Sequence, residues 1–306
     1  MGSENVIKIK GHKIELSHLD KVLFPKSGIT KEELVTYYKE MSSMVLPLYE
    51  NRPLTMQRCP DGIDKQNFIQ KEAPDYFPRW IDRYELTKEE GTIKQVLVNK
   101  EATMVYLANQ ACITFHLALS KVDKIRYPTY LIFDLDPSID DMVLLKNVVT
   151  YIKELIDNIE LRGFIKTTGS RGFHIYIPLK RKHTFKKVHD FAKMFASYLA
   201  QKYPKEITID QSKAKRGKRV LIDYARNSYG LTAVAPYSIR AKEGAPIATP
   251  LDWEELKDKD LHSQSYNIKN ISKRLRSIKD PWSDMAFHHF SLTPAQSNLM
   301  ELMDKL

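Results

Sequence analysis

The stretch Tyr130-Leu131-Ile132-Phe133-Asp134-Leu135-Asp136-Pro137 is an apolar run that ends in two carboxylates one residue apart and is stopped by proline. Successive side chains of a β-strand point to opposite faces, so Asp134 and Asp136 share one face while Phe133 and Leu135 occupy the other. Such a strand buries one side and presents oxygen ligands on the opposite side. Hard divalent cations take carboxylate oxygens, and a two-metal site for phosphoryl transfer needs carboxylates fixed by a rigid element. From its spacing alone, Asp-x-Asp reads either as a metal-binding pair or as an ordinary strand end.

The surrounding chain has 306 residues, 42% hydrophobic and 28% charged, enough for a sizeable core in one large domain or two intimate ones. Lys and Arg number 48 against 38 Asp and Glu, and the resulting charge of +10 favours a polyanionic partner such as nucleic acid, with simple solubility as the alternative. Cys59 and Cys112 lie far apart without a Cys-x-x-Cys pair, which indicates neither a disulfide framework nor a structural zinc site and points to a reducing compartment. The N-terminus has no basic segment followed by an apolar core, and no apolar run approaches the roughly 20 residues of a membrane span. The expected location is cytoplasmic, with no membrane partner.

Residues 6–16 alternate apolar and charged around Gly11-His12, as an edge hairpin does. Thr30 and Glu33 have capping-box spacing ahead of a helix to about Leu48, so Lys21 and Lys31 flank a helix start, a setting that suits a phosphate or merely two solvated lysines. Residues 53–62 and 67–71 read as two short strands. Residues 100–120 look helical at their start and are apolar throughout, with His116 a core histidine on its own evidence. Asp140 and Asp141 cap an amphipathic helix to about Leu161.

The second informative stretch runs from Phe164 to Pro178, where two apolar strands flank the turn Gly169-Ser170-Arg171-Gly172. Glycines let a backbone approach an anion, and hydroxyls, turn N–H groups and Arg171 suit phosphate oxygens, although a plain hairpin has similar turn residues. His174 and Tyr176 share a strand face beside this turn. Residues 185–203 form an amphipathic helix, and the basic run 213–219, which contains Arg216, precedes a strand ending in a further acid, Asp223. Thr249-Pro250 is expected to start a short helix through Leu256, residues 264–290 to be irregular, and Thr293-Pro294 to open a last helix.

Asp134, Asp136 and Asp223, the Ser170/Arg171 turn with His174, and the surplus positive charge together describe nucleotidyl transfer. The carboxylates would hold two divalent ions, one activating a 3′-hydroxyl and one neutralising a triphosphate, while Arg171, Arg240 and His174 orient that triphosphate. The lack of a Gly-x-x-x-x-Gly-Lys-Ser/Thr run disfavours a P-loop ATPase. A two-metal nuclease would use the same acids with less need of the anion-cradling turn.

The order Asp-Lys-Val-Leu-Phe-Pro (20–25), Arg-Cys-Pro-Asp-Gly (58–62), Phe-Asp-Leu-Asp-Pro (133–137), Thr-Thr-Gly-Ser-Arg-Gly-Phe-His (167–174), Asp-Tyr-Ala-Arg-Asn (223–227), Thr-Ala-Val-Ala-Pro-Tyr-Ser-Ile-Arg (232–240) and Thr-Pro-Leu-Asp-Trp (249–253) resembles the polymerase domain of bacterial DNA ligase D. That family belongs to the archaeo-eukaryotic primase superfamily and serves non-homologous end joining. The resemblance runs from about residue 12 to Trp282. It implies a single domain over 1–306 of α/β class, a primase-like core of mixed and antiparallel sheets flanked by helices, with 1–16 a hairpin and 283–306 a helical extension.

By the same resemblance Asp134, Asp136 and Asp223 are metal ligands and His116, Thr168, Ser170, Arg171, His174, Arg216 and Arg240 contact the nucleotide. His18, Lys21 and Lys31 grip the 5′-phosphate of a downstream strand, and Phe68 stacks on the template. Departures are Ile69, where a second aromatic is common, and His18 and Thr168, where Asn and Ser occur. The implied activity is template-directed, Mn²⁺- or Mg²⁺-dependent addition of NTP or dNTP, ribonucleotides preferred, at 5′-phosphorylated DNA ends and gaps. Ku and an ATP-dependent DNA ligase are the implied partners. The alternatives are a primer-synthesising primase of the superfamily and a non-catalytic DNA-end-binding module.

Overall fold

In the computed structural model, which describes residues 5–88 and 91–306, the N-terminal alternation folds as a hairpin of β1 (Asn5–Ile9) and β2 (His12–Leu16); residues 1–4 of the expected 1–16 hairpin lie outside the described ones. The chain divides into two compact units. One comprises Met1–Asp123, Thr232–Ala248 and Tyr266–Ser272, the other Lys124–Leu231, Thr249–Ser265 and Lys273–Leu306.

In the first unit a short ladder of β3 (Val22–Phe24) and β4 (Ile29–Thr30) leads into α1 (Lys31–Tyr49). The capping box forms as read: the Thr30 hydroxyl accepts from the Glu33 N–H and the Glu33 carboxylate from the Thr30 N–H, together about 1 kcal/mol of helix stability. Next come β5 (Leu54–Arg58), β6 (Phe68–Gln70), the ladder β7 (Arg83–Lys88) with β8 (Gly91–Val96), α2 (Glu101–Asn109) and β9 (Cys112–Ala118). The helical start of residues 100–120 is α2. At Ala111 the backbone turns left-handed (φ +54°), and the Ile, Thr and Phe that follow favour a strand, so the same apolar stretch changes period. The strand Thr232–Val234, β9, β5 and β6 form an antiparallel sheet in that order.

Tyrosines on α1 tie it to this sheet. The ring of Tyr38 stacks on Phe115 with centroids 4.5 Å apart. The Tyr37, Tyr38 and Tyr49 hydroxyls donate to the carbonyls of Tyr237, Ile113 and Pro236 at 2.6, 2.6 and 2.7 Å. Burying these hydroxyls without partners would be costly, so each finds one.

The second unit is built on β10 (Tyr130–Pro137), with α3 (Met142–Asn158), β11 (Phe164–Thr167), β12 (Phe173–Pro178), α4 (Phe185–Lys202), β13 (Ile207–Thr208), the single turn α5 (Lys213–Arg216) and β14 (Val220–Asp223). The sheet order is β13, β14, β10, β12, β11 and the edge strand Pro250–Leu251, antiparallel except for β13 beside β14. Asp141 alone caps α3, its carboxylate accepting from the Leu144 N–H. Phe133, on the apolar face of β10, stacks on Phe195 of α4 at 4.5 Å.

Two expectations are corrected here. Pro250 lies in a strand rather than opening a helix; it sits at a sheet edge, where its missing N–H is harmless, and the helical turn Trp253–Lys257 starts instead from a capping box made by Asp252 and Glu255. Residues 264–290 are not all irregular but contain α6 (Ile271–Ser277) and a helical turn, Met285–Phe287. The final helix, α7 (Leu292–Met303), is capped by Ser291.

β10 also fixes the neighbouring hairpin. A Cβ on Gly172 would lie 1.7 Å from the Leu135 carbonyl oxygen, so only glycine permits this backbone approach. Gly172→Ala should therefore destabilise the protein by about 3 kcal/mol in urea unfolding, since relief requires shifting backbone rather than a side chain.

Candidate active site

Residues directly opposite in an antiparallel ladder project to the same face. β10 sets Asp134 opposite Asp223 of β14 and opposite His174 of β12, and β12 sets His174 opposite Lys166 of β11. Asp223, Asp134, His174 and Lys166 thus form one row across four strands, and Asp136 follows two residues along β10 on the same face. The other face carries Phe133, Leu135, Ile175 and Ile222, all fully buried.

Adjacent carboxylates repel, and cationic side chains offset that repulsion. Arg226, on the turn Ala225–Asn227 after β14, donates to Asp134 Oδ2 at 3.0 Å and lies 3.6 Å from Asp223 Oδ2. Asp223 Oδ1 accepts from Gln211 Nε2 at 3.2 Å and from the Ala225 N–H at 3.0 Å. Asp136 accepts from Arg171 at 2.8 Å and Arg216 at 3.1 Å. Arg216 is buried and also bonds the carbonyls of Asp210 and Gln211, whereas the Arg171 side chain is 57% exposed.

His174 is buried, and its Nε2 lies 3.2 Å from Asp134 Oδ1. A carboxylate can only accept, so Nε2 carries the hydrogen, and Nδ1 has no hydrogen-bond partner among the described residues. Burial, and then the charge of Lys166, lower the imidazole to about 4 against the partial opposition of Asp134. It is neutral at pH 7. Burial would raise the Asp134 carboxyl, but His174 and Arg226 hold it well below the usual carboxylate range. With His174 neutral, what acts on Asp134 near pH 7 is the imidazole N–H bond and Arg226.

Beside this row, the turn between β11 and β12 is organised by Thr168. Its hydroxyl accepts from the N–H groups of Ser170 and Gly172 at 3.1 and 3.2 Å and donates to the Gly172 carbonyl at 3.0 Å. Thr168 thus builds the turn that presents Ser170 and Arg171.

Unit by unit, the second holds Asp134, Asp136, Asp223, Thr168, Ser170, Arg171, His174 and Arg216 together. The remaining sequence-predicted residues lie in the first. His116 is half-buried on β9, opposite Thr55 and Val234, rather than deep in the core. Arg240 is half-buried, its N–H donating to the Pro246 carbonyl. Backbone bonds gather His18, Lys21 and Lys31: the Lys21 N–H donates to the His18 carbonyl and the Lys31 N–H to the Lys21 carbonyl at 2.8 Å. Lys21 Nζ pairs with Asp61 at 2.8 Å; Lys31 is buried, its Nζ reaching Ser17 Oγ and the Asn109 carbonyl. Burial, then the neighbouring Lys21 charge, lower the Lys31 ammonium. Phe68, on edge strand β6, is 39% exposed, with the Arg58 guanidinium 5.4 Å from its ring centre.

Arg226, Lys166 and Gln211 are not singled out by sequence pattern. The available signal for Arg226 is its i+3 spacing from Asp223. For Lys166 it is a lysine among apolar strand residues, on the face its register shares with His174.

The donor set suits a hard divalent cation, being three carboxylates fixed on one sheet face with a guanidinium reaching two of them. Among the described residues no three His, Cys, Asp or Glu side chains converge as a metal centre, because each aspartate is turned onto an arginine. A cation arriving here would take over the neutralising role of those arginines.

His174 gives a pH signature in the metal-free protein. Its folded pKa lies below its unfolded value of about 6.5, so between the two the unfolded state binds more protons, and the stabilisation present above pH 6.5 is lost as pH falls toward 4. Urea unfolding should show a loss on the order of 1–3 kcal/mol across that window, and His174→Gln should flatten the slope.

The chain as a whole is similar to known proteins. The family described as LigD, primase-polymerase domain, matches residues 30–282. The bifunctional non-homologous end joining protein LigD of Bacillus subtilis is 29% identical over 274 residues, covering 89% of this chain and 44% of that protein. The multifunctional non-homologous end joining protein LigD of Mycolicibacterium smegmatis is 30% identical over 252 residues, covering 81% and 33%. This chain therefore spans less than half the length of these relatives. The polymerase domain of Mycobacterium tuberculosis ligase D, solved in complex with DNA, superposes with a TM-score of 0.83 at 28% identity, covering 88% of this chain and 96% of that one. With the family match extending over most of its length, the chain belongs to the LigD primase-polymerase domain family.

Proposed function

We propose that the protein is a template-directed polymerase that adds nucleotides to broken DNA ends during non-homologous end joining. The observation that carries this reading is the strand register that sets Asp134 beside Asp223 and His174, with Asp136 on the same face and Arg171 on the adjoining turn. A non-catalytic DNA-binding module has no reason to aim carboxylates at a polyanion. The LigD relatives are named for end joining, and the superposed polymerase domain was solved with DNA.

Asp134, Asp136 and Asp223 would hold two Mn²⁺ or Mg²⁺ ions, which when bound supply Lewis-acid activation and charge neutralisation. The protein's own part is positioning. His174 keeps Asp134 ionised and oriented through its N–H, and Arg171 and Arg216 exchange Asp136 for the phosphates of the incoming NTP or dNTP, to which an arginine offers paired donors. His116 and Arg240 are further nucleotide contacts. Lys21, Lys31 and His18 form the 5′-phosphate pocket: the charge of Lys21 disfavours the neighbouring Lys31 ammonium, and an anion bound beside the two would relieve that repulsion. Phe68 stacks on the template base. Ribonucleotides are the preferred substrates, Ku and an ATP-dependent DNA ligase the partners, and the nucleoid the site of action. Among the described residues, no helix is long and apolar enough to cross a membrane.

Primer extension on a gapped duplex with Mn²⁺, comparing rNTP with dNTP, tests this reading. Asp134→Ala should lower extension by about 10³-fold or more while gap binding persists; retained extension would overturn the assignment. Lys21→Ala with Lys31→Met should weaken binding to a 5′-phosphorylated gap by about tenfold and leave the unphosphorylated gap nearly unaffected. An equal loss on both substrates would contradict the phosphate pocket.

A further inference from the structure

We propose that Ser263 and Gln264 are positioning residues for the incoming nucleotide, clamping the main-chain carbonyl of Ser170 and thereby setting the turn that carries Arg171 to the triphosphate. This rests on the nucleotidyl-transfer reading above.

Ser263 Oγ donates to the Ser170 carbonyl at 2.9 Å and Gln264 Nε2 donates to the same oxygen at 2.6 Å, which occupies both of its lone pairs. Within the turn, the Thr168 hydroxyl serves the Ser170 N–H and both main-chain groups of Gly172, so the Ser170 carbonyl is held from outside. The clamping segment is itself tied by internal hydrogen bonds. The His262 N–H donates to Ser265 Oγ at 2.9 Å, the Gln264 N–H to His262 Nδ1 at 3.2 Å and the Ser265 N–H to the His262 carbonyl at 3.1 Å, and Ser263 is buried.

The opposite end of the turn is fixed by Gly172 against the Leu135 carbonyl, between Asp134 and Asp136 on β10. Arg171 therefore lies between two anchored neighbours: Gly172 is seated on the aspartate strand and Ser170 is bonded to the 262–265 segment. Its guanidinium reaches Asp136 from there. The turn and the clamp together border a cavity of about 630 Å³. The clamp adds a second anchor to the one at Gly172 and so opposes a pivot of the hairpin tip about Gly172. Misplacement of a substrate-positioning group by about 1 Å can cost about 100-fold, so the second anchor bears on substrate binding through Arg171.

The test is calorimetric titration of the full chain with a non-hydrolysable nucleoside triphosphate and Mn²⁺, alongside gapped-DNA binding. Ser263→Ala/Gln264→Ala should raise the nucleotide Kd about tenfold while the DNA Kd stays within twofold. Gln264→Met, uncharged, of similar length and unable to donate, should weaken nucleotide binding by itself, and because Gln264 is only half-buried it tests the clamp even if the double variant folds poorly. In an Arg171→Ala background the double substitution should change the Kd less than twofold, because the clamp acts through Arg171. Wild-type affinity in the clamp variants, or an undiminished effect in the Arg171→Ala background, overturns the proposal. If Arg171→Ala weakens binding and the clamp variants do not, the clamp alone is wrong. If the unaltered protein binds no nucleotide, the nucleotidyl-transfer reading falls and takes the clamp with it.

Discussion

Asp134 is a largely buried carboxylate whose partner across one ladder is another aspartate, and that juxtaposition constrains everything around it. Two like charges side by side on a sheet face are tolerable only when cations or hydrogen bonds compensate them. Arg226 reaches both, and the neutral His174 adds a hydrogen bond without adding charge. Asp136 draws in Arg171 and Arg216 for the same reason. The site is thus a balanced set of charges rather than a row of exposed acids. On the proposed function, a divalent cation or a triphosphate would enter that set by exchanging one partner for another.

The fold serves this balance. β10 is central because it is paired on both sides, and register then decides which side chains stand in the row. A slip of one residue would turn Asp134 and Asp136 into the apolar face now packed on α4. Gly172 lets the neighbouring hairpin close on the backbone between the two aspartates, which brings the Arg171 turn within reach of Asp136.

Much of this was legible in the sequence, because short-range physics writes it there. The Asp-x-Asp alternation, the Thr30/Glu33 capping box and the Gly-flanked turn each have a local cause, and each folded as read. What escaped depends on long-range context. Pro250 is a strand residue only because a sheet edge passes beside it. Residues 100–120 change from helix to strand at a left-handed Ala111 that an apolar stretch does not announce. The turn-building role of the Thr168 hydroxyl depends on backbone groups that only the folded hairpin brings to it. Arg226 and Lys166 gain their importance from pairings between strands far apart in sequence. The clamp of Ser263 and Gln264 on Ser170 joins residues more than ninety positions apart, as sequence separations of 93 and 94 attest.

The central claim is that this carboxylate face holds divalent metal in exchange for its arginines. Electron paramagnetic resonance titration of Mn²⁺ in the presence of a non-hydrolysable nucleoside triphosphate measures that directly. The account predicts bound Mn²⁺ in the unaltered protein and a loss of most of it in Asp134→Asn and in Asp223→Asn. Mn²⁺ occupancy that is unchanged when either aspartate is neutralised would contradict it.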